Sequence, residues 1–251
     1  VRESTPQPAA GEVRVRLDGC GVCASSLPVW EGRPWFEYPR APGEPGHEGW
    51  GIVDAVGDGG ADLEPGERVA LISGRAYAEY DVAPRAGVVR IPDALRGEPF
   101  PGEALGCALN IWERSDVRAE HSVAIVGAGF LGTLLVQLAS RAGAQVVVLS
   151  RRESALAAAR VAGASATFAT QDARRAREDA LALTGGRGYD RVIEAAGLQS
   201  TLDLASALAA EPHMLHVFLG RGASQPDQDA LERRLYPAPA ATTKDWRSLP
   251  D

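Results

Sequence analysis

Lysine, methionine and cysteine are scarce in this chain of 251 residues, which has one lysine (Lys244), one methionine (Met214) and three cysteines. Three cysteines are too few for a disulfide scaffold, so a reducing compartment is the simpler expectation. The formal net charge of −7 argues against a nucleic-acid binder, which usually carries a basic face. Hydrophobic residues (45%) and charged residues (24%) are near the globular average, which excludes wholesale disorder.

The sequence also lacks a targeting segment and a membrane span. Residues 1–12 are polar and have no charged stretch followed by an apolar one. The most apolar stretch, residues 123–139, is interrupted by glycines and falls short of a spanning helix. We therefore expect a cytoplasmic protein without a membrane partner. The chain begins at Val1 and not at methionine, so we expect it to be trimmed or a fragment.

Two parts of the chain differ in their hydrophobic pattern. Residues 1–110 are rich in proline and glycine and contain short alternating segments, which predict β-strands separated by loops. In residues 111–220, short apolar runs alternate with segments of helical period, which predicts a doubly wound parallel sheet. Residues 221–251 are polar and predict an irregular tail. The expected fold class is therefore α/β, with a β-rich domain before a parallel-sheet domain.

A glycine-rich turn, GAGFLG, follows a predicted strand and precedes a predicted helix, which is the context of a dinucleotide-binding loop. In such a loop the glycines permit a tight turn, a close approach of the backbone to a pyrophosphate, and close packing of helix on strand. The helix N-terminus adds N–H donors for the phosphates. The alternative is a tight turn in a domain that binds no nucleotide. The candidate dinucleotide-binding residues are Gly127, Gly129, Phe130, Leu131 and Gly132.

The residues after the next apolar run indicate which dinucleotide fits. A site selective for NAD has an acid near this point, whereas this chain has Ser150 followed by Arg151 and Arg152. A small hydroxyl group does not repel a 2′-phosphate, and guanidinium groups bind a phosphate through paired hydrogen bonds. The pattern favours NADP(H) over NAD(H). The alternative is that both arginines are solvated residues at the start of a helix.

Three separate segments carry side chains that ligate metals. A thiolate, an imidazole and a carboxylate together suit a borderline-soft ion such as zinc, with one position open for a substrate. A second CxxC is absent, which excludes a four-cysteine zinc site, and the strand context of a thioredoxin-like CxxC is absent as well. The candidate residues are Cys20, Cys23, His47, Glu48, Glu103 and Cys107.

These segments, taken in order, resemble the zinc-dependent alcohol and polyol dehydrogenases of the medium-chain dehydrogenase/reductase superfamily. The resemblance runs over residues 5–220, through GEVRVRLDGCGVCASS, PGHEGWGIVDAVG, PGERVAL, SVAIVGAGFLG and YDRVIEAAG. It implies a GroES-like catalytic domain over residues 1–110 and a Rossmann dinucleotide-binding domain over residues 111–220.

The resemblance also implies roles for single residues. Cys23 and His47 match two ligands of the catalytic zinc. Glu48 matches a carboxylate that either ligates the zinc or contacts its ligands, and Ser25 matches the hydroxyl group that relays a proton from the substrate alcohol.

The third protein ligand is less directly assigned by the resemblance. Residues 103–106 resemble the acidic segment that supplies it in polyol and threonine dehydrogenases, so Glu103 is expected to be the ligand. A cysteine ligand at Cys107 is the alternative, and otherwise that side chain is a small buried hydrophobe. Cys20 is expected to be structural.

The chain departs from the family at several positions. Ser26 stands where the family often has an aspartate, and Pro28 where some members have a relay histidine. The four-cysteine lobe that holds a structural zinc is missing, so one catalytic zinc and no structural zinc are expected. The family's first hairpin and its segment after residue 220 have no counterpart here, so we expect both domains to be incomplete.

The expected function is zinc-dependent transfer of hydride between NADP(H) and an alcohol or polyol, or the corresponding carbonyl compound. One rival is a zinc-free quinone or enoyl reductase of the same superfamily, and another is a truncated, inactive nucleotide-binding protein. A small-molecule substrate is expected. The sequence does not decide whether the protein forms a homo-oligomer. The candidates for the wall of a substrate pocket are Trp30, Trp35, Phe36 and Tyr38.

Overall fold

Two five-stranded sheets, one antiparallel and one parallel, form the framework of the protein in a computed structural model. The structure describes residues 3–59 and 62–211, and the backbone alone of residues 215–217. The predicted tail over residues 221–251 therefore lies outside the described residues. The two sheets follow one another along the chain as predicted, and the α/β fold class is confirmed.

The antiparallel sheet is built from the first part of the chain. Its strands are β1 (Glu12–Gly21), β2 (Glu48–Val56), β3 (Arg68–Leu71), β4 (Tyr80–Pro84) and β5 (Val88–Arg90), paired in the order β4-β1-β2-β3-β5. The alternation that predicts β1 is confirmed, because Val13 and Val15 are fully buried whereas Arg16 is exposed. A 3₁₀ turn (Ala24–Ser26) and a short helix, α1 (Leu27–Trp30), follow β1.

The parallel sheet has helices on both faces. After helix α2 (Gly102–Ser115) come β6 (Ser122–Val126), α3 (Phe130–Arg141), β7 (Gln145–Ser150), α4 (Glu153–Val161), β8 (Ala166–Ala169), α5 (Ala173–Ala182), β9 (Arg191–Glu194), α6 (Gln199–Leu208) and β10 (Leu215–Val217). The strands pair in the order β10-β9-β6-β7-β8. Alternate residues of β6 and β7 belong to two different cores, one against α3 and α4 and the other against α5 and α6. This is the predicted doubly wound arrangement.

Helix α2 joins the two sheets. It packs against β2 and β3 near its start, while Ile111 and Trp112 pack against the core under α3 and α4. Beyond its end, Arg191 of β9 donates to the Ser115 carbonyl (3.0 Å) and to the Asp116 carboxylate (2.8 Å). The predicted domain boundary between residues 110 and 111 thus falls inside a helix that contacts both sheets. Within the described part of the chain, no helix has the length and apolar character needed to cross a bilayer.

Candidate metal and nucleotide sites

Three of the predicted metal ligands lie together beside the antiparallel sheet. The ligand atoms of Cys23, His47 and Glu48 are all within 4.8 Å of one another. The strand register explains this, because Gly21 at the end of β1 pairs with Glu48 at the start of β2. Cys23, which follows β1, therefore lies close to His47, which precedes β2, although the two are far apart in sequence.

The orientation of His47 is fixed by a backbone carbonyl. Its Nδ1 lies 2.8 Å from the Pro45 carbonyl oxygen, which can only accept, so Nδ1 carries the proton. In the neutral ring the lone pair is therefore on Nε2, which lies 3.5 Å from the Ser25 hydroxyl oxygen. A hydrogen bond of this kind on the other ring nitrogen is the usual support of a metal-binding histidine. The Pro45 carbonyl thus provides an orienting contact in a chain that has Ser26 in place of the family's aspartate.

The charges of Cys23 and His47 are coupled. The hydrogen bond from His47 lowers the pKa of the Cys23 thiol, and the same contact raises the pKa of His47 to about 9. Each of the two groups thus favours the charged form of the other. Thiolate is the form of cysteine that binds metals, and a cation can replace the proton on His47.

The Glu48 carboxylate is buried against a glycine. Only 7% of the residue is exposed, and burial followed by the nearby Glu103 charge raises the pKa of its carboxyl group. A Cβ atom at Gly21 would overlap Glu48 Oε2. Glycine at this position therefore leaves the space that the carboxylate occupies.

Glu103 and Cys107 approach the cluster from helix α2 but lie outside the group of three. The Glu103 charge contributes to raising the pKa of both His47 and Glu48, and helix α2 packs against β2, which begins at Glu48. The Cys107 thiol donates to Glu103 Oε1 at 3.0 Å. Burial, and then the contact with Glu103, raises the pKa of Cys107 to about 12. The structure thus brings Glu48 into the cluster and holds Glu103 beside it.

The glycine-rich turn has the predicted strand–turn–helix geometry. Gly127 has a φ of +104°, a region that disfavours other residues, and a Cβ on Gly132 would overlap the Gly127 carbonyl oxygen. Gly129 differs from both, because a Cβ there meets nothing within 4 Å. The N-terminus of α3 begins here without a side-chain cap. Open space therefore lies in front of unoccupied N–H donors, as a pyrophosphate site requires.

A cavity of about 400 Å³ lies beside this turn, between α3 and α4. Of the predicted dinucleotide-binding residues, Gly129, Phe130 and Arg152 line it. Arg151 is exposed and does not line this cavity, and Ser150 ends β7 at the same edge of the sheet. Thr133, Gln137 and Ser154 add polar groups to the wall. The sequence pattern offered no signal for these three, because their contribution depends on how two helices pack.

The aromatic residues proposed for a substrate pocket lie mostly at the surface. Trp30 is 85% exposed, and the Arg33 guanidinium lies 5.8 Å from the centre of the Trp35 ring. The Tyr38 hydroxyl donates to the Val29 carbonyl at 2.9 Å. Their role in a pocket stays a prediction.

A buried carboxylate that the sequence analysis did not single out lies at the end of β9. Glu194 is 1% exposed and accepts hydrogen bonds from the amides of Ala196 and Gly197 and from the Thr201 hydroxyl. The turn that Glu194 stabilises packs against Gly127, since a Cβ atom on Gly127 would meet the Ala196 side chain. The sequence signal that could have identified Glu194 is an acidic residue at the carboxyl end of an apolar strand.

Comparison with known proteins gives two matching family models in the predicted order. Residues 9–93 match the alcohol dehydrogenase GroES-like domain, and residues 131–230 match the zinc-binding dehydrogenase model. The chain belongs to the medium-chain dehydrogenase/reductase family. The resemblance seen in the sequence motifs is confirmed.

This chain matches only part of the length of each relative. An alcohol dehydrogenase of Geobacillus stearothermophilus is 32% identical over 63% of this chain and 56% of its own. Galactitol 1-phosphate 5-dehydrogenase of Escherichia coli is 29% identical over 83% of this chain and 68% of its own. The solved structure of a mycobacterial quinone oxidoreductase has a TM-score of 0.71 and 25% identity, over 92% of this chain and 73% of that one. The chain spans 49% to 56% of the first curated relatives that it matches.

Proposed function

We propose that this chain acts in hydride transfer between NADP(H) and an alcohol or polyol, or the corresponding carbonyl compound, with one zinc ion at the Cys23 cluster. The observation that carries the proposal is the convergence of Cys23, His47 and Glu48 within 4.8 Å. The family membership and the alcohol and polyol phosphate dehydrogenases among the relatives support the reaction class.

The donor set fits zinc. It combines a cysteine sulfur whose pKa is lowered, a histidine whose Nε2 can ligate once a cation displaces its proton, and a carboxylate, with Glu103 on the neighbouring helix. Cys23 and His47 would hold the ion together with Glu103 or Glu48. Bound zinc would supply Lewis-acid polarisation of the substrate oxygen.

The remaining groups handle the proton and the cofactor. The Ser25 hydroxyl is exposed and lies beside His47, so it can pass a substrate proton directly to water. This route suits a chain that has Pro28 in place of a relay histidine. The open space at Gly129 and the uncapped start of α3 would accept the pyrophosphate of the dinucleotide, and the bound dinucleotide would supply the hydride chemistry.

Turnover assays with a chelator test the proposal. The purified chain is offered a panel of alcohols, polyols and quinones with NADP(H) or NAD(H). We expect NADP(H)-linked turnover of an alcohol or polyol that a zinc chelator abolishes and added zinc restores. Quinone reduction that survives the chelator would favour the zinc-free reductase, in line with the quinone oxidoreductase structure. NADPH binding without any turnover would favour an inactive nucleotide-binding protein.

Arg152 is the residue that we propose for the choice of dinucleotide, because it lines the cavity. We expect Arg152→Ala to raise the Kd for NADPH by about tenfold, since a charge-assisted hydrogen bond to the 2′-phosphate is lost. The Kd for NADH is expected to stay unchanged, because NADH has no 2′-phosphate. Arg151→Ala is the matched control, since Arg151 does not line the cavity. Calorimetric titration measures the Kd of each dinucleotide for the wild type and both variants, and equal losses of affinity for the two dinucleotides in Arg152→Ala would contradict this role.

We also expect Gly21→Ala to weaken zinc binding by about tenfold, as changes next to metal ligands commonly do. The new methyl group would displace the Glu48 carboxylate from its place beside Cys23 and His47. Gly74→Ala is the control, because a Cβ there meets nothing within 4 Å and the backbone is not left-handed. Competition with a zinc indicator measures both affinities. An unchanged affinity in Gly21→Ala would show that the position of Glu48 is irrelevant to the metal.

A further inference from the structure

Glu103 and Cys107 form a hydrogen-bonded pair on helix α2, which packs against β2, the strand that begins at Glu48. The two residues are four positions apart on α2, which places their side chains on the same face. The Cys107 sulfur lies 3.0 Å from Glu103 Oε1. Helix α2 is held from both sides, by the antiparallel sheet and by the core under α3, so the pair has little freedom to move away.

The chemistry of the two groups gives the contact a direction. A carboxylate offers only acceptors, and a thiol has one hydrogen to donate. The thiol therefore engages Oε1, and among the described residues no hydrogen bond to Glu103 Oε2 is present. One oxygen of the carboxylate is held while the other is left for a further partner.

We infer that Cys107 is a positioning residue, whose thiol holds Oε1 of Glu103 so that Oε2 is presented to the cation bound by Cys23 and His47. The inference rests on the proposed metal site. Carboxylates that ligate metals are generally hydrogen-bonded through groups outside the coordination shell, and the loss of such a group typically costs 10–100-fold in affinity. Cys107 fills this role as a donor and is not itself a ligand.

The alternative, direct ligation by Cys107, predicts a different spectrum. Cobalt(II) is the probe, because a thiolate bound to cobalt gives a charge-transfer absorption whose intensity rises with the number of thiolates. The inference predicts one thiolate, that of Cys23, in the wild-type chain. Direct ligation predicts two.

The experiment compares Cys107→Ser, which keeps a donor, with Cys107→Ala, which removes it. We expect Cys107→Ala to weaken cobalt binding by about tenfold, at the low end of the range for such groups, and Cys107→Ser to restore affinity near wild type. The charge-transfer intensity per bound cobalt should stay the same in all three proteins. Cys107 is only half-buried and both replacements suit a helix well enough, so circular dichroism should show an unchanged fold.

A double-mutant cycle separates positioning from packing. In a Glu103→Ala background, Cys107→Ala is expected to have no further effect on cobalt affinity, because the carboxylate that it positions is gone. Four results would each overturn the inference. Two concern affinity for cobalt: equal affinities of wild type and Cys107→Ala, or failure of Cys107→Ser to restore affinity. The other two are additive effects in the cycle and a loss of charge-transfer intensity in both Cys107 variants. Absence of cobalt binding by the wild-type chain would overturn the proposed metal site as well, which distinguishes the two failures.

Discussion

Gly129→Val is expected to raise the Kd for NADPH by about a hundredfold while leaving the melting temperature within about 2 °C of wild type. A Cβ at Gly129 meets nothing within 4 Å, and its φ of −79° is open to any residue. The valine side chain therefore costs the fold little, but it occupies the space in front of the α3 N-terminus. A pyrophosphate cannot approach the backbone N–H groups through that side chain.

Gly132→Ala is the contrasting variant in the same turn. A Cβ there would overlap the Gly127 carbonyl oxygen, so the substitution should lower the melting temperature. Calorimetric titration with NADPH and thermal unfolding are measured on both variants. Tight NADPH binding by a folded Gly129→Val protein would mean that the dinucleotide does not lie against this turn.

Glu194→Ala is expected to destabilise the fold by on the order of 3 kcal/mol, because it leaves several buried donors without a partner. The amides of Ala196 and Gly197 and the hydroxyl of Thr201 all lose the carboxylate that accepts their hydrogen bonds. The turn that they hold packs against Gly127, so NADPH binding should weaken in the part of the sample that remains folded.

Thr201→Val is the matched variant for Glu194. It removes one donor to the carboxylate and the hydroxyl that accepts from the Leu198 amide, and it leaves both backbone contacts of Glu194, so its cost should be about 1–2 kcal/mol. Chemical unfolding followed by circular dichroism gives the free energy of unfolding for each protein. Equal stabilities of Glu194→Ala and Thr201→Val would show that the backbone contacts of the carboxylate contribute nothing.

The parts of this fold that depend on short-range signals were predictable from the sequence. The alternation in β1 and the helical periods of the segments between the parallel strands are properties of neighbouring residues, and both predictions are confirmed. The glycine-rich turn belongs to the same class, because the positive φ of Gly127 and the contact of Gly132 with the Gly127 carbonyl are properties of one strand–turn–helix unit. Helix α2 was not predicted, since Gly102 and Gly106 weaken its helical signal.

The candidate metal cluster depends on contacts between distant residues. No spacing rule places Cys23 beside His47; the register of β1 against β2 does so, and the family resemblance indicated it first. No sequence pattern indicates that the Pro45 carbonyl orients His47, or that the absence of a side chain at Gly21 makes room for Glu48. Such details follow from backbone positions in three dimensions. The assignments of individual residues to zinc stay predictions.

Zinc stoichiometry of the purified chain and of its Cys23→Ser variant is the most direct measurement of the central claim, that one catalytic metal is held at the Cys23 cluster. Both proteins are dialysed against dilute zinc and analysed by inductively coupled plasma mass spectrometry, with Cys20→Ser as the control, since Cys20 lies outside the cluster. The account predicts one equivalent of zinc in the wild-type chain and in Cys20→Ser, and none in Cys23→Ser. A folded wild-type chain without zinc, or a Cys23→Ser variant that retains it fully, would contradict the account.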